Sequence, residues 1–309
     1  MTRSTRLRGR ALLVTAAAGA LALSACGASS DPTKTTATGA AGGAVSSVTV
    51  GAADFSESQV LAEIYAAALN AKGVKATTRP NIGSREVYLK ALEDKSVDLV
   101  PEYTGSLLTY LKKDATAKAP DEVYAALKAA LPATLTALDK SAAEDKNSIV
   151  VTKDTAAKWS LTQIGDLVAR QGEVVVAAPP EFQSRQQGLP GLKAEYNFVP
   201  KDFRPLKGKA IVDALTNGQA QAANIFSTDP SISTNGFVTL ADPKLLFGSD
   251  NVVPLLRKDK VNDTVTAALN AVSAKLDTAT LTDLVKQVDV DKKDAAVVAK
   301  DFVAKAGLS

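Results

Sequence analysis

Residues 81–105 read NIGSREVYLKALEDKSVDLVPEYTG, a loop, a short helix and a buried strand ending in a polar-aromatic turn. Ile82-Gly83-Ser84 is turn material, and Ser84 is placed to cap the helix that follows. Val87, Leu89 and Leu92 give that helix an apolar side, and Val97-Asp98-Leu99-Val100 is a short β-type run. Pro101-Glu102-Tyr103-Thr104-Gly105 then stops the strand and leaves a carboxylate, a phenol and a hydroxyl at its carboxyl end. In open α/β sheets ligands sit in the crevice at that end. The stretch predicts one wall of a pocket.

Working outward, the same alternation recurs on both sides. Val48–Gly51 reads as a first strand, and Ser56-Glu57-Ser58-Gln59 has capping-box spacing ahead of Val60, Leu61, Ile64, Tyr65, Ala68 and Leu69 at helical period. Ser106–Leu111 reads as helix, and a longer Ala-rich helix is expected from Asp121 to about Asp139. Ser148–Val151 reads as a strand, Trp159–Arg170 as a short helix and Glu173–Ala178 as an apolar strand ended by Pro179-Pro180. Lys209–Thr216 is helical, Gln221–Phe226, Gly236–Leu240 and Val252–Arg257 are strands, and three helical segments close the chain. Strands alternating with helices predict a mostly parallel α/β architecture. Polar turns with one aromatic follow several of the strands, which is the functional signal.

Composition narrows the chemistry. The chain has 309 residues, 46% hydrophobic and 22% charged, enough for two globular domains. It contains no His, which removes Ser–His and Cys–His pairs and the commonest zinc ligand. Glu57, Glu102 and Glu181 offer carboxylates but no positioned nucleophile, so neither enzyme nor metal site nor cofactor is expected. The net charge of +3 comes from Arg3, Arg6, Arg8 and Arg10; the remainder balances 32 basic against 33 acidic residues. The excess of base is thus an N-terminal feature, not a nucleic-acid footprint.

Those four arginines precede an apolar run from Ala11 to Ala25, too short for a membrane span and suited to a signal-peptide core. Leu23-Ser24-Ala25-Cys26 resembles a bacterial lipobox, in which Cys26 becomes the lipidated first residue. Residues 1–25 are therefore expected to be a lipoprotein signal peptide. Residues 26–47, Gly-, Ala-, Ser- and Thr-rich, are expected to form the lipidated cysteine and a flexible linker. That places the folded body at the cell membrane, on its extracytoplasmic face. Cys26 is the only cysteine, so no disulfide is expected within the chain.

Eight segments in order carry a resemblance. They are Val50-Gly51 through Gln59, Gly83-Ser84-Arg85-Glu86 through Leu92, Val97-Asp98-Leu99, Pro101–Gly105, Pro180-Glu181-Phe182, Arg185, Gly188–Leu192 and Phe226-Ser227-Thr228-Asp229. Together they resemble the substrate-binding proteins of bacterial ABC importers for glycine betaine, choline, carnitine and related osmoprotectants. The resemblance implies a two-lobed α/β fold of the type II periplasmic-binding-protein kind, with the ligand cleft between the lobes. Lobe one is expected at 48–148 plus 253–309, and lobe two at 149–252. The partners implied are a small polar or zwitterionic solute, an ABC permease and its ATPase, with no nucleic acid and a monomeric chain. A solute sensor on the same fold, or a binding protein for a non-betaine ligand, are the alternatives.

In the family, aromatic rings surround the quaternary ammonium and an arginine holds the ligand carboxylate. Arg185 matches that arginine, and Phe226 matches a position often occupied by tyrosine. The full set of ligand-binding candidates is Phe55, Ser84, Arg85, Tyr103, Thr104, Phe182, Arg185, Phe226, Ser227, Thr228 and Asp250. Three departures stand out. Ala53 replaces a frequent lysine, Asn147-Ser148-Ile149 replaces Asn-Thr-Tyr, and Phe247-Gly248-Ser249-Asp250-Asn251 replaces a segment that commonly carries Pro-Pro-Tyr. The cage is short of two rings, and Asp250 offers direct charge pairing in their place, which suits a ligand with N–H donors.

Overall fold

The computed structural model describes residue 45 and residues 47–309. The expected signal peptide, Cys26 and nearly all of the linker lie outside the described residues. Ten strands form two five-stranded sheets. The first is ordered β2-β1-β3-β10-β4, with β1 at Ser47–Gly51, β2 at Lys75–Arg79, β3 at Leu99–Tyr103, β4 at Leu135–Ala137 and β10 at Val252–Arg257. The second is ordered β7-β6-β8-β5-β9, with β5 at Asn147–Val151, β6 at Val175–Ala178, β7 at Asp202–Pro205, β8 at Ala222–Phe226 and β9 at Val238–Thr239. Each sheet carries its own apolar core. In the first, the helix α1 (Ser56–Ala71) buries Val60, Leu61, Ile64, Tyr65, Ala68 and Leu69 in one core with Val298, Ala299, Phe302 and Val303 of the last helix.

Both sheets are mixed, with four strands running one way in each and a single strand, β10 or β5, reversed. β10 runs antiparallel to β3 and β4, and β5 runs antiparallel to β8 and β9. The reason is where the chain changes sheets. The βα units put the carboxyl ends of β3 and β8 at the cleft, and the crossing segments arrive there too. A strand that starts at the cleft must run opposite to one that ends there: Val252 pairs with Tyr103, and Asn147 with Phe226. The two crossings also pair with each other, through Asp145 N–H to the Asp250 carbonyl at 3.1 Å and Val252 N–H to the Ala143 carbonyl at 3.0 Å.

Local corrections have local causes. The Ala-rich helix spans Pro120–Ala130 and goes no further, because Pro132 disfavours helical backbone at Leu131 and β4 follows. The Ser56–Gln59 spacing forms no capping box. Ser58 Oγ instead accepts from Ala53 N–H at 2.9 Å, while Gln59 Nε2 donates to Asn81 Oδ1. The expected helix from Trp159 to Arg170 divides at Ser160, whose φ of 54° ends Lys153–Trp159; a 3₁₀ segment then runs Ile164–Arg170.

Candidate functional site

The segments following β3, β6 and β8 meet across a cavity of about 550 Å³. Two short helices supply one side: α2 (Arg85–Glu93) and α3 (Thr104–Leu111). From them come Arg85, Glu86, Ser106, Thr109 and Tyr110. The facing side consists of Glu181, Phe182, Ser184 and Arg185 after β6, with Asn147, Asn224 and Phe226 from β5 and β8.

Arg185 reaches across the cleft. Its Nε and Nη2 donate to Glu86 Oε1 at 3.2 and 3.1 Å, and Nη2 donates to Glu86 Oε2 at 3.0 Å. Glu181, in its own lobe, lies 3.9 Å away. Ser84 is the residue before α2, but its hydroxyl caps no backbone group; it donates to Glu86 Oε2 at 2.5 Å. Burial raises the Glu86 carboxyl, but the hydrogen bonds from Arg185 and Ser84 outweigh it and bring it down to about 2.

Arg85 borders the same cavity with a different commitment. Its fork closes on Glu102, Nε to Oε1 at 2.7 Å and Nη2 to Oε2 at 3.0 Å. Tyr88 Oη and Tyr103 N–H donate to the same carboxylate, each at 2.7 Å. Glu102 is fully buried and Arg85 is 7% exposed, so the pair is an internal strut beneath the cleft.

A second cluster joins the lobes beside the cavity. The Phe55 ring lies between Tyr103 and Phe226, with centroid separations of 6.3 and 5.5 Å. Glu57, buried at the start of α1, accepts from Tyr103 Oη at 2.7 Å and from Thr228 Oγ1 of the opposite lobe at 2.5 Å. Thr228 N–H and Ser227 Oγ donate to Asp145 in the first crossing. Burial, against the hydrogen bonds from Thr228 and Tyr103, pushes Glu57 up to about 7; burial and the Glu57 charge push Asp145 up as well. These two carboxyls face each other with no cation among their hydrogen-bond partners.

Asp250 does not reach toward the cavity in the way its position suggested. Its Oδ1 accepts from Gly105 N–H at 2.8 Å and Ser106 N–H at 2.9 Å, and Oδ2 lies 2.5 Å from Ser106 Oγ. It thus satisfies the free donors at the start of α3. Its burial raises its carboxyl to about 7 despite those bonds. Gly105 is required there, since a Cβ would stand 2.3 Å from the Ser249 carbonyl oxygen. Thr104 is similarly engaged, its Oγ1 accepting from Asn251 N–H at 3.0 Å.

Of the eleven candidates, the cavity therefore gathers Arg85, Phe182, Arg185 and Phe226. Phe55, Tyr103, Ser227 and Thr228 meet in the adjoining cluster, and Ser84, Thr104 and Asp250 support backbone or neighbouring side chains. Sequence reasoning did not place Glu86, Ser106, Tyr110, Asn147 or Asn224 at the site. Two signals pointed to three of them, Ser106, Tyr110 and Asn224. Ser106, Thr109 and Tyr110 share one face of α3 by spacing. Asn224 interrupts the otherwise apolar strand AANIF.

Residues 46–305 match the family model described as the substrate binding domain of ABC-type glycine betaine transport systems. The chain is 28% identical over 280 residues to the glycine betaine-binding protein YehZ of Escherichia coli, covering 85% of this chain and 92% of that one. It is 25% identical over 274 residues to the carnitine transport binding protein OpuCC of Listeria monocytogenes, covering 86% and 89%. Among solved structures, apo YehZ aligns with a TM-score of 0.61 at 26% identity, over 85% of this chain and all of that one. A glycine betaine/carnitine/choline ABC transporter structure aligns with a TM-score of 0.68 at 24% identity, over 84% and 99%, and shares the two-lobed fold. A match over 46–305, two five-stranded sheets and a polar cleft between them make this chain a member of the family of ABC-type glycine betaine substrate-binding domains, a binding component and not an enzyme.

Proposed function

We propose that the cleft captures a small zwitterionic solute of the glycine betaine or carnitine kind and presents it to an ABC permease. The observation that carries this reading is Arg185, a guanidinium fork placed at the cavity edge where a ligand carboxylate can receive two charge-assisted bonds. Relatives named for glycine betaine and carnitine support the ligand class. The chain acts as a monomer, tethered by a lipid on Cys26 through the linker and facing outward. Among the described residues no helix is long and apolar enough to cross a membrane, which is compatible with such a tether. One observation favours a more polar ligand within the same function: the cavity sets only Tyr110, Phe182 and Phe226 as rings among many hydrogen-bonding groups.

Thermal shift of the soluble body against glycine betaine, carnitine, choline and amino acids tests the reading. A ligand at 100 times its Kd adds about 2.7 kcal/mol of stability. Stabilisation by an amino acid and by no quaternary ammonium would replace the ligand class and keep the fold's role. For the carboxylate contact, Arg185→Ala is expected to weaken glycine betaine by about ten- to 150-fold by calorimetry, the range for a hydrogen bond to a charged group. Equal affinity in the variant removes Arg185 from the site.

A further inference from the structure

The fork that Arg185 would offer a ligand is already closed on a carboxylate from the opposite lobe. All three Arg185–Glu86 contacts fall between 3.0 and 3.2 Å, the arrangement a bound carboxylate would adopt. The two residues are 99 apart in sequence, one in the first turn of α2 and the other just past β6. Glu86 is held by Ser84 on its other side, and its side chain is 42% exposed, so water can receive it when it lets go. Release would not by itself part the lobes, because Lys207 Nζ and Asp54 Oδ2, 2.6 Å apart, also join them.

We propose that Glu86 is an internal carboxylate that competes with the carboxylate of the solute for Arg185, and so sets how strongly the cleft favours carboxylate-bearing over carboxylate-free ligands. The inference rests on the solute reading above and deepens it. Glu86 occupies the Nε–Nη2 edge of the guanidinium, so a solute carboxylate that takes this edge binds only to the fraction of molecules in which Glu86 has let go. Apparent affinity is reduced by that fraction. A solute without a carboxylate, such as choline, does not need the fork and is not subject to this competition.

The test compares glycine betaine and choline by calorimetry on the soluble wild-type body and on Glu86→Gln. Glu86→Ala serves as a second variant that brings no amide donor. An ion pair worth one or two kcal/mol holds the fork closed in all but a small fraction of molecules. Freeing it should therefore tighten glycine betaine by about five- to thirtyfold. Choline should bind unchanged or more weakly, since a nearby negative charge has been removed. Tightening of both ligands in parallel, or glycine betaine affinity that is unchanged or lower in the variants, overturns the inference and leaves the solute reading standing. Failure of wild type and variants to bind either ligand overturns both.

Discussion

Arg85→Ala is expected to lower unfolding free energy by about 3–5 kcal/mol, the cost of leaving a buried charge without its partner. Glu102 is fully buried, and two of its hydrogen bonds come from the Arg85 guanidinium. The remaining donors, Tyr88 Oη and Tyr103 N–H, are neutral and do not balance the charge. Arg85→Met combined with Glu102→Leu should recover most of the loss, because packed apolar groups are often as stable as a buried pair. Denaturant unfolding of the two single and one double variants measures the coupling directly. A loss below about 1 kcal/mol for Arg85→Ala would show that Glu102 is not held by charge pairing. The result also separates two arginines that neighbour the same cavity: Arg85 supports the wall, and Arg185 faces what the wall encloses.

The second large effect concerns pH. Glu57 faces Tyr103 on β3, Thr228 and Asp229 after β8, and Asp145 in the first crossing. Folded, it keeps its proton up to about pH 7, whereas its ordinary value is 4.5. Between those values the folded chain binds more protons than the unfolded one, so stability falls as pH rises through that window. The Glu57 share is roughly 3 kcal/mol at pH 8 relative to pH 4. Glu57→Gln removes it and is expected to leave a protein more stable than wild type above pH 7, with a flatter profile between 4.5 and 7. Asp250, also raised to about 7, retains its own contribution of the same sign in the variant. Glu86, lowered to about 2 and partly exposed, acts oppositely, its contribution being lost as pH falls below 4.5. Thermal melts at pH 4.5, 6 and 8 report the slopes; identical slopes for wild type and Glu57→Gln refute the assignment.

Much of this was legible in residues 81–105 and their counterparts. The period of apolar residues located α2, and the polar turns marked the ends where the cavity forms, but β3 starts at Leu99 and runs through Pro101 to Tyr103, past the proline expected to stop it. What escaped were relationships that local pattern does not encode. Strand direction followed from where the crossings enter the sheets, not from the apolar run Val252–Arg257 itself. Asp250 read as a ligand for a cation because its nearest partners, Gly105 and Ser106, lie 145 and 144 residues away. Glu86 sat in a quoted motif but was not among the ligand-binding candidates, since its partner belongs to the other lobe. Pro132, by contrast, was a local stop signal inside the Ala-rich segment, and the helix ends at Ala130 as that signal requires.

The pairing of the two crossings, Asp145 with Asp250 and Glu144 with Asn251, gives the molecule a two-stranded ribbon for a hinge. A single strand swivels in every direction, whereas a hydrogen-bonded pair bends across its face more readily than within its plane. The lobes are accordingly confined to something close to one rotational path, like covers on a spine. A paired joint narrows the set of lobe arrangements the fold can offer, and so the shapes a permease has to tell apart.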